Sequence, residues 1–190
     1  SPAEINNPGL ATTSYKANGG PFDSNYTDQQ TGPAVGAFAQ ERSPTRGHIK
    51  LKHITDGTTR TIGLGETCFR YSFRRSDGID FFPFYGAMNW NKAEAGNSYR
   101  IFSTGESRIN PSDDFIALWP ALAREAFGSN HPGGCQFAFL DASVRFISDD
   151  IHHTARPYVA SDPYDSNNNG ANYGTFQRLL SRNDGMVVSD

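Results

Sequence analysis

The chain has 190 residues and a formal net charge of −3, with 19% of its residues charged. That length suits one domain, and that balance excludes a phosphate-tracking nucleic-acid binder. Hydrophobic residues at 36% and aromatics at 13% exclude disorder, because disordered chains lack the bulky rings that fill a core.

Nineteen Gly and eleven Pro mark a turn-rich, β-leaning chain. Residues 1–33 are loop-rich, with Asn6-Asn7-Pro8-Gly9, Asn18-Gly19-Gly20-Pro21 and Thr31-Gly32-Pro33 as turn signals. Short strands are expected over Thr12–Ala17 and Gly36–Gln40. Ile49 to Ile54 alternates apolar and polar, which reads as a half-buried strand, although six residues do not exclude helix. Thr55-Asp56-Gly57-Thr58 is a turn, with Asp56 accepting local backbone bonds and Gly57 allowing positive φ. A strand follows over Arg60–Phe69, with Ile62, Leu64 and Cys68 on one face. Arg70, Arg74 and Arg75 form a small basic cluster that reads as a solvated patch.

Asp80 to Trp90 is the most aromatic stretch, broken by Pro83, and predicts an irregular strand or core wall. Residues 91–114 give no clear signal. A helix is expected over Pro120–Phe127, with Pro at its first turn. His131-Pro132-Gly133-Gly134 is a turn, and Gln136–Leu140 and Ser143–Ile147 are strands joined at two-residue hairpin length by Asp141-Ala142. Asp162–Asn172 is a polar loop. A last helix is expected over Gly174–Arg182, where Phe176, Leu179 and Leu180 make an apolar stripe ended by Gly185; Met186-Val187-Val188 reads as a final short strand.

Candidate chemistry is sparse. His131 and Asp141 would serve as base and orienter only if the chain doubled back, because an intervening strand holds its ends about 20 Å apart. The plainer reading ties His131 to a Gly-rich turn and Asp141 to a hairpin tip. No Gly-x-Ser-x-Gly elbow, phosphate-binding Gly loop or His pair at helical metal spacing is present. Adjacent His152 and His153 would point to opposite faces of a strand, a poor zinc site. These absences lead to the expectation of a non-enzyme. Asp165, Asn167 and Asn169 followed by Gly170 match the opening of a calcium loop, but position twelve is Phe176 where a bidentate Glu is required. Calcium is thus the one cofactor suggested, against a solvated Asn-rich turn. Phe84, Tyr85 and Trp90 offer a sugar-stacking platform or, more simply, core. Cys68 and Cys135 would bond in an exported chain, or sit as two small buried apolar residues. Asn25-Tyr26-Thr27 fits a glycosylation acceptor.

The stretch His131-Pro132-Gly133-Gly134, Phe137 to Asp141 and Ser143 to Asp149 resembles the His-nine-residues-Asp-Gly signature. That signature marks a large bacterial family of prepilin-related proteins of unknown function, abundant in planctomycetes and also described as solute-binding-like. Ile54 to Thr61 with Gly65-Glu66, and Phe176 to Arg182 with Gly185 to Asp190, resemble the family's second and third motifs. The resemblance implies an α+β fold, mostly antiparallel β-sheet with short helices: a pilin- or pseudopilin-like globular head over 1–190, lacking its N-terminal helix. Within it lie the hairpin at 128–150 and an inserted polar loop at 162–172. It further implies a bacterial cell-surface or secreted protein whose partners are its own or other pilin-like subunits. Carbohydrate or another small solute is the alternative partner. Membrane contact would come only through the absent helix, since the chain opens at Ser1 without Met as a processed form or fragment would. Ala142 stands where the family has Gly, so the hairpin tip is expected to use another turn type.

Overall fold

The structure is a computed structural model that describes residues 13–21, 36–38, 49–68, 73–74, 80–81, 102–123, 125–154 and 173–185. The calcium candidates Asp165, Asn167 and Asn169, the aromatics Phe84, Tyr85 and Trp90, the 162–172 loop, the 186–188 strand and the Asn25 acceptor lie outside the described residues.

Period-2 alternation on either side of Asp141 produces β6 (Gly134–Phe139) and β7 (Val144–Ser148). They pair antiparallel from Gly134↔Ser148 to Ala138↔Val144. The connection differs from the two-residue loop expected. Phe139 donates its amide to Ser143 at 2.8 Å and Ala142 donates to Phe139 at 3.0 Å, so Leu140, Asp141 and Ala142 form a three-residue loop. Such loops place a left-handed residue third, and Ala142 takes it at φ 68°. The turn type is thus retained despite the missing Gly, with Cβ strain of about 1–2 kcal/mol. Asp141 compensates by accepting the Ser143 amide at 2.9 Å and hydroxyl at 2.6 Å.

The sheet is completed by β1 (Tyr15–Gly20), β2 (Ile62–Glu66) and β5 (Phe102–Thr104), in the order β5-β1-β2-β6-β7. Only β5 runs parallel to its neighbour, β1. A separate ribbon pairs β3 (Phe73–Arg74) with β4 (Asp80–Phe81). Among the described residues three short α-helices accompany the sheets: α1 (Asp113–Leu118), capped by the Ser112 hydroxyl, α2 (Pro120–Ala123) and α3 (Thr175–Leu180). The architecture is α+β with a mostly antiparallel sheet.

Several expectations are corrected. Asn18-Gly19-Gly20 closes β1 and is no turn. Ile49–Ile54 holds a 3-10 helix, Leu51–His53, because six residues do not fix a period; Leu51 stays 73% exposed while Ile54 is buried. In β2 a register shift between Ile62 and Leu64 buries the first and turns the second to solvent, so the two share no face. The helix expected over 120–127 is shortened to 120–123, and a separate helix over 113–118, for which no helix was expected, precedes it.

The core lies on one face of the sheet. Phe127, Phe137 and Phe176 pack edge to face at 5.2, 6.2 and 6.0 Å, ringed by Ile62, Ile109, Ile147 and Leu180. Such ring pairs add about 0.5–1.5 kcal/mol each beyond area burial. Gly65 faces this cluster, and a Cβ there would meet Phe127 at 2.5 Å and Phe137 at 2.6 Å. The opposite face carries cross-strand rows Ala17/Leu64/Ala138/Val144 and Tyr15/Glu66/Gln136/Phe146. Tyr15, Leu64, Val144 and Phe146 are 54%, 42%, 65% and 49% exposed.

Candidate functional site

The family-like motifs meet in space, and what they build is a closed polar junction. The fully buried Asn18 donates to the carbonyls of Ile62 at 2.7 Å and Leu180 at 2.8 Å, and accepts the Gly20 amide at 2.8 Å. Asp56 accepts the amides of Asp184 at 2.7 Å and Gly185 at 3.0 Å. The Thr55 and Asp56 amides both donate to the Arg182 carbonyl. Gly57 supports this turn with φ +95°, a conformation that costs residues with a Cβ. The second and third motifs therefore clasp each other through backbone amides, while Asn183 Oδ1 in the same segment is buried without a hydrogen-bond partner.

The His131 motif is likewise built into the framework. The Ser129 hydroxyl accepts the His131 amide at 3.0 Å and donates to the Gly134 carbonyl at 2.7 Å. The His131 ring is mostly exposed, 3.5 Å from Glu66, whose other oxygen accepts the Gln136 amide at 2.8 Å. His131 thus meets Glu66 and not Asp141, which sits at the far end of β6. An exposed pair of this kind contributes about 0–1 kcal/mol. Gly134 leaves no room for a side chain, since a Cβ would lie 2.2 Å from the Ile147 carbonyl. At the hairpin tip, the Ser143 hydroxyl and amide hold the Asp141 carboxyl below its ordinary range.

Cys68 and Cys135 are free thiols, so the disulfide considered from sequence is not formed. Burial pushes the Cys135 thiol up to about 12, which keeps it protonated and removes it as a nucleophile. Its sulfur lies 3.7 Å from Asn110 Oδ1. Among the described residues no cluster of three His, Cys, Asp or Glu is placed to hold a metal ion.

Beyond Asn110 the polar framework opens into a cleft of about 300 Å³, lined by Glu106, Arg108, Asn110, Phe115, Asp149 and His153 among others. Asn110 sits at φ 51°, which Asn tolerates better than most residues. It donates to Asp149 at 3.4 Å and accepts the Ser129 amide at 2.8 Å. His153, read from sequence only as half of a poor zinc pair, is 8% exposed, whereas His152 faces solvent. Its Nε2 lies 2.9 Å from the Gly105 carbonyl. A carbonyl only accepts, so Nε2 carries the hydrogen and Nδ1 presents a lone pair. That Nδ1 is buried without a partner, a deficit worth about 1–3 kcal/mol. Burial is the main cause that pulls the imidazole down to about 4, with the Arg108 and His152 charges adding to it against the Gly105 bond. The ring is therefore neutral at pH 7. Sequence reasoning missed this cleft because its walls come from segments some forty residues apart, near 106–115 and 149–153.

A family described as a protein of unknown function (DUF1559) matches residues 2–154. The chain belongs to that family. The match covers the His131 hairpin and the Ile54–Glu66 motif, whereas the Asn18 and Asp56 contacts to residues 180–185 reach past its end. The family's short label carries a solute-binding designation. No curated protein and no solved structure matches the chain.

Proposed function

We propose that the chain is the globular head of an exported, pilin-like surface or filament subunit that acts by assembly and contact, without catalysis. The observation that carries this reading is the outward sheet face. Tyr15, Leu64, Val144 and Phe146, on β1, β2 and β7, leave apolar side chains in solvent on one face of the sheet, a placement that marks contact surfaces more often than chance exposure. The motif residues support the same reading, because His131, Asp56 and Gly57 hold backbone together and face no reactive arrangement. In this reading the partners are further copies or other pilin-like subunits, and membrane attachment comes from a helix preceding the head.

The test uses the native full-length protein from cells. Its N-terminal sequence and intact mass should show a long apolar helix ahead of Ser1. The paired substitution Val144→Asp and Phe146→Asp should abolish surface polymers seen by electron microscopy, while the melting temperature stays within a few degrees. Polymers that persist in the double variant, or a native start at Ser1, would overturn the reading.

A further inference from the structure

We infer that the free edge of β7 takes the β7 strand of a second copy of this chain, antiparallel and related by a two-fold axis at Ile147. The inference deepens the assembly reading and rests on it, because Val144 and Phe146 belong to the outward face that carries that reading.

The two edges of the five-stranded sheet are finished differently. At β5 every residue is buried, and the Thr104 amide donates away from the sheet to the Glu125 carbonyl at 2.9 Å. At β7, no strand among the described residues pairs on the side away from β6. The Phe139 amide bonds to the Ser143 carbonyl, and the Asp149 amide bonds to the Gly133 carbonyl. Odd-numbered residues from Ser143 to Asp149 therefore bond toward β6, and the amides and carbonyls of Val144, Phe146 and Ser148 point outward. Among the described residues only the Ser148 carbonyl has a local donor, the Ile151 amide at 3.3 Å, and a carbonyl accepts twice. Val144 and Phe146 stand 65% and 49% exposed beside these groups. An open edge of β-branched and aromatic residues is a template for another strand.

Charge decides which strand it is. The edge is basic toward one end, at Arg145, and acidic at the other, at Asp149 and Asp150. A uniformly acidic strand would suit Arg145 and be repelled at Asp150, and a basic one would do the reverse. An antiparallel copy of β7 sets each end against its opposite. Charge also selects the register. An axis at Arg145 opposes two guanidiniums, and an axis at Phe146 sets Arg145 against the apolar Ile147. An axis at Ile147 sets Arg145 opposite Asp149 of the second copy, with Asp150 next to it, and pairs Phe146 with Ser148 on both sides. The Arg145 side chain is 47% exposed, stacks on Phe139 at 4.3 Å and leans toward Asp141 at 3.7 Å. In that direction the second copy runs on to its Asp150. Asp149 already accepts from Asn110 at 3.4 Å, so the exposed Asp150 is the acid this register uses.

Sedimentation equilibrium of the whole chain, with amide hydrogen exchange read at low and high protein concentration, tests the pairing. A reversible dimer should form, and exchange at the Phe146 and Ser148 amides should slow at least tenfold as it does. Phe146→Pro removes an amide that β6 does not use, a position where an edge strand accepts Pro, and should weaken the dimer at least tenfold. Arg145→Glu and Asp150→Lys should each weaken it at least fivefold, and the two together should return it to within about threefold of the parent, as facing charges require. Should Phe146→Pro fail to fold, that exchange of charges decides alone. A monomer at every concentration, protection confined to other amides, or a double variant weaker than either single one would overturn the pairing. Polymers lost in Val144→Asp with Phe146→Asp, from a parent chain that stays monomeric, would strike the edge pairing and leave the assembly reading standing. A dimer that obeys the charge exchange, from a native protein that starts at Ser1, would strike the assembly reading and leave the pairing.

Discussion

Two polar regions of the chain use their buried side chains differently. Around Asn18 and Asp56, these side chains bond to backbone groups and tie β1 and β2 to the segment after α3, although Asn183 Oδ1 in that segment is buried without a hydrogen-bond partner. Around His153, an equally buried side chain uses one ring nitrogen and leaves the other without a partner beside a charged cleft. The first region holds distant segments together through backbone bonds, whereas His153 leaves a buried ring nitrogen unsatisfied at a cost in stability.

The contrast is broken most forcefully at Asn18. Replacing it with Ala strands the Ile62 and Leu180 carbonyls and the Gly20 amide in a dry interior, and should cost about 3–4 kcal/mol, read as a lowered urea midpoint. A loss under about 1 kcal/mol would mean that the junction is not the clasp described.

His153 sharpens the comparison through pH. Above its ordinary value of 6.5 the imidazole is neutral folded and unfolded; below it the unfolded chain takes a proton that the folded one refuses down to about 4. Stability from this group is thus full above pH 6.5 and falls as the pH drops toward 4, by about 3 kcal/mol at most. The groups near it are Arg108 and His152, which disfavour its charging, and Glu106 and Asp149 in the cleft wall. Chemical denaturation across that range should show the slope in the parent and its loss in His153→Phe; equal slopes would refute the assignment.

A smaller effect is expected at Asp56. Asp56→Ala frees the amides of Asp184 and Gly185 and should cost about 2 kcal/mol, with faster hydrogen exchange at those two amides than elsewhere. The smallest effect is a gain. Ala142→Gly relieves the strain at φ 68°, offset in part by the freedom of glycine in the unfolded chain, for a net rise of roughly 0.5–1 kcal/mol in thermal melts. No rise would place the strain elsewhere in the loop.

The β6–β7 hairpin was readable because alternation on both sides of the turn residues agrees over fifteen positions, although its connection is one residue longer than expected. α3 was readable because Phe176 and Leu180 recur at helical spacing and are both buried. What escaped reading has physical reasons. β5 has three residues, too few for a period, and is held by pairing with β1. Asn18 beside two glycines signals a turn locally, yet tertiary contacts with Ile62 and Leu180 override that signal. Leu64 obeys alternation, but the register shift in β2 places it outward. The Glu66 and His131 motifs were each visible, whereas their meeting across β2 and β6 follows only from the strand order. The cleft had no signature, because its residues become neighbours only after the chain has folded.

The bond from Asn18 to the Leu180 carbonyl joins residues 162 positions apart, and this has a consequence in time. Closing a loop of that length costs about 4–5 kcal/mol of chain entropy before any contact repays it. The strand carrying Asn18 lies inside the sheet, so the core cannot settle until α3 has been made and delivered to it. Folding is therefore expected to be slow and to finish late. Until then, the N-terminal side of a nascent chain lacks the contact that α3 supplies.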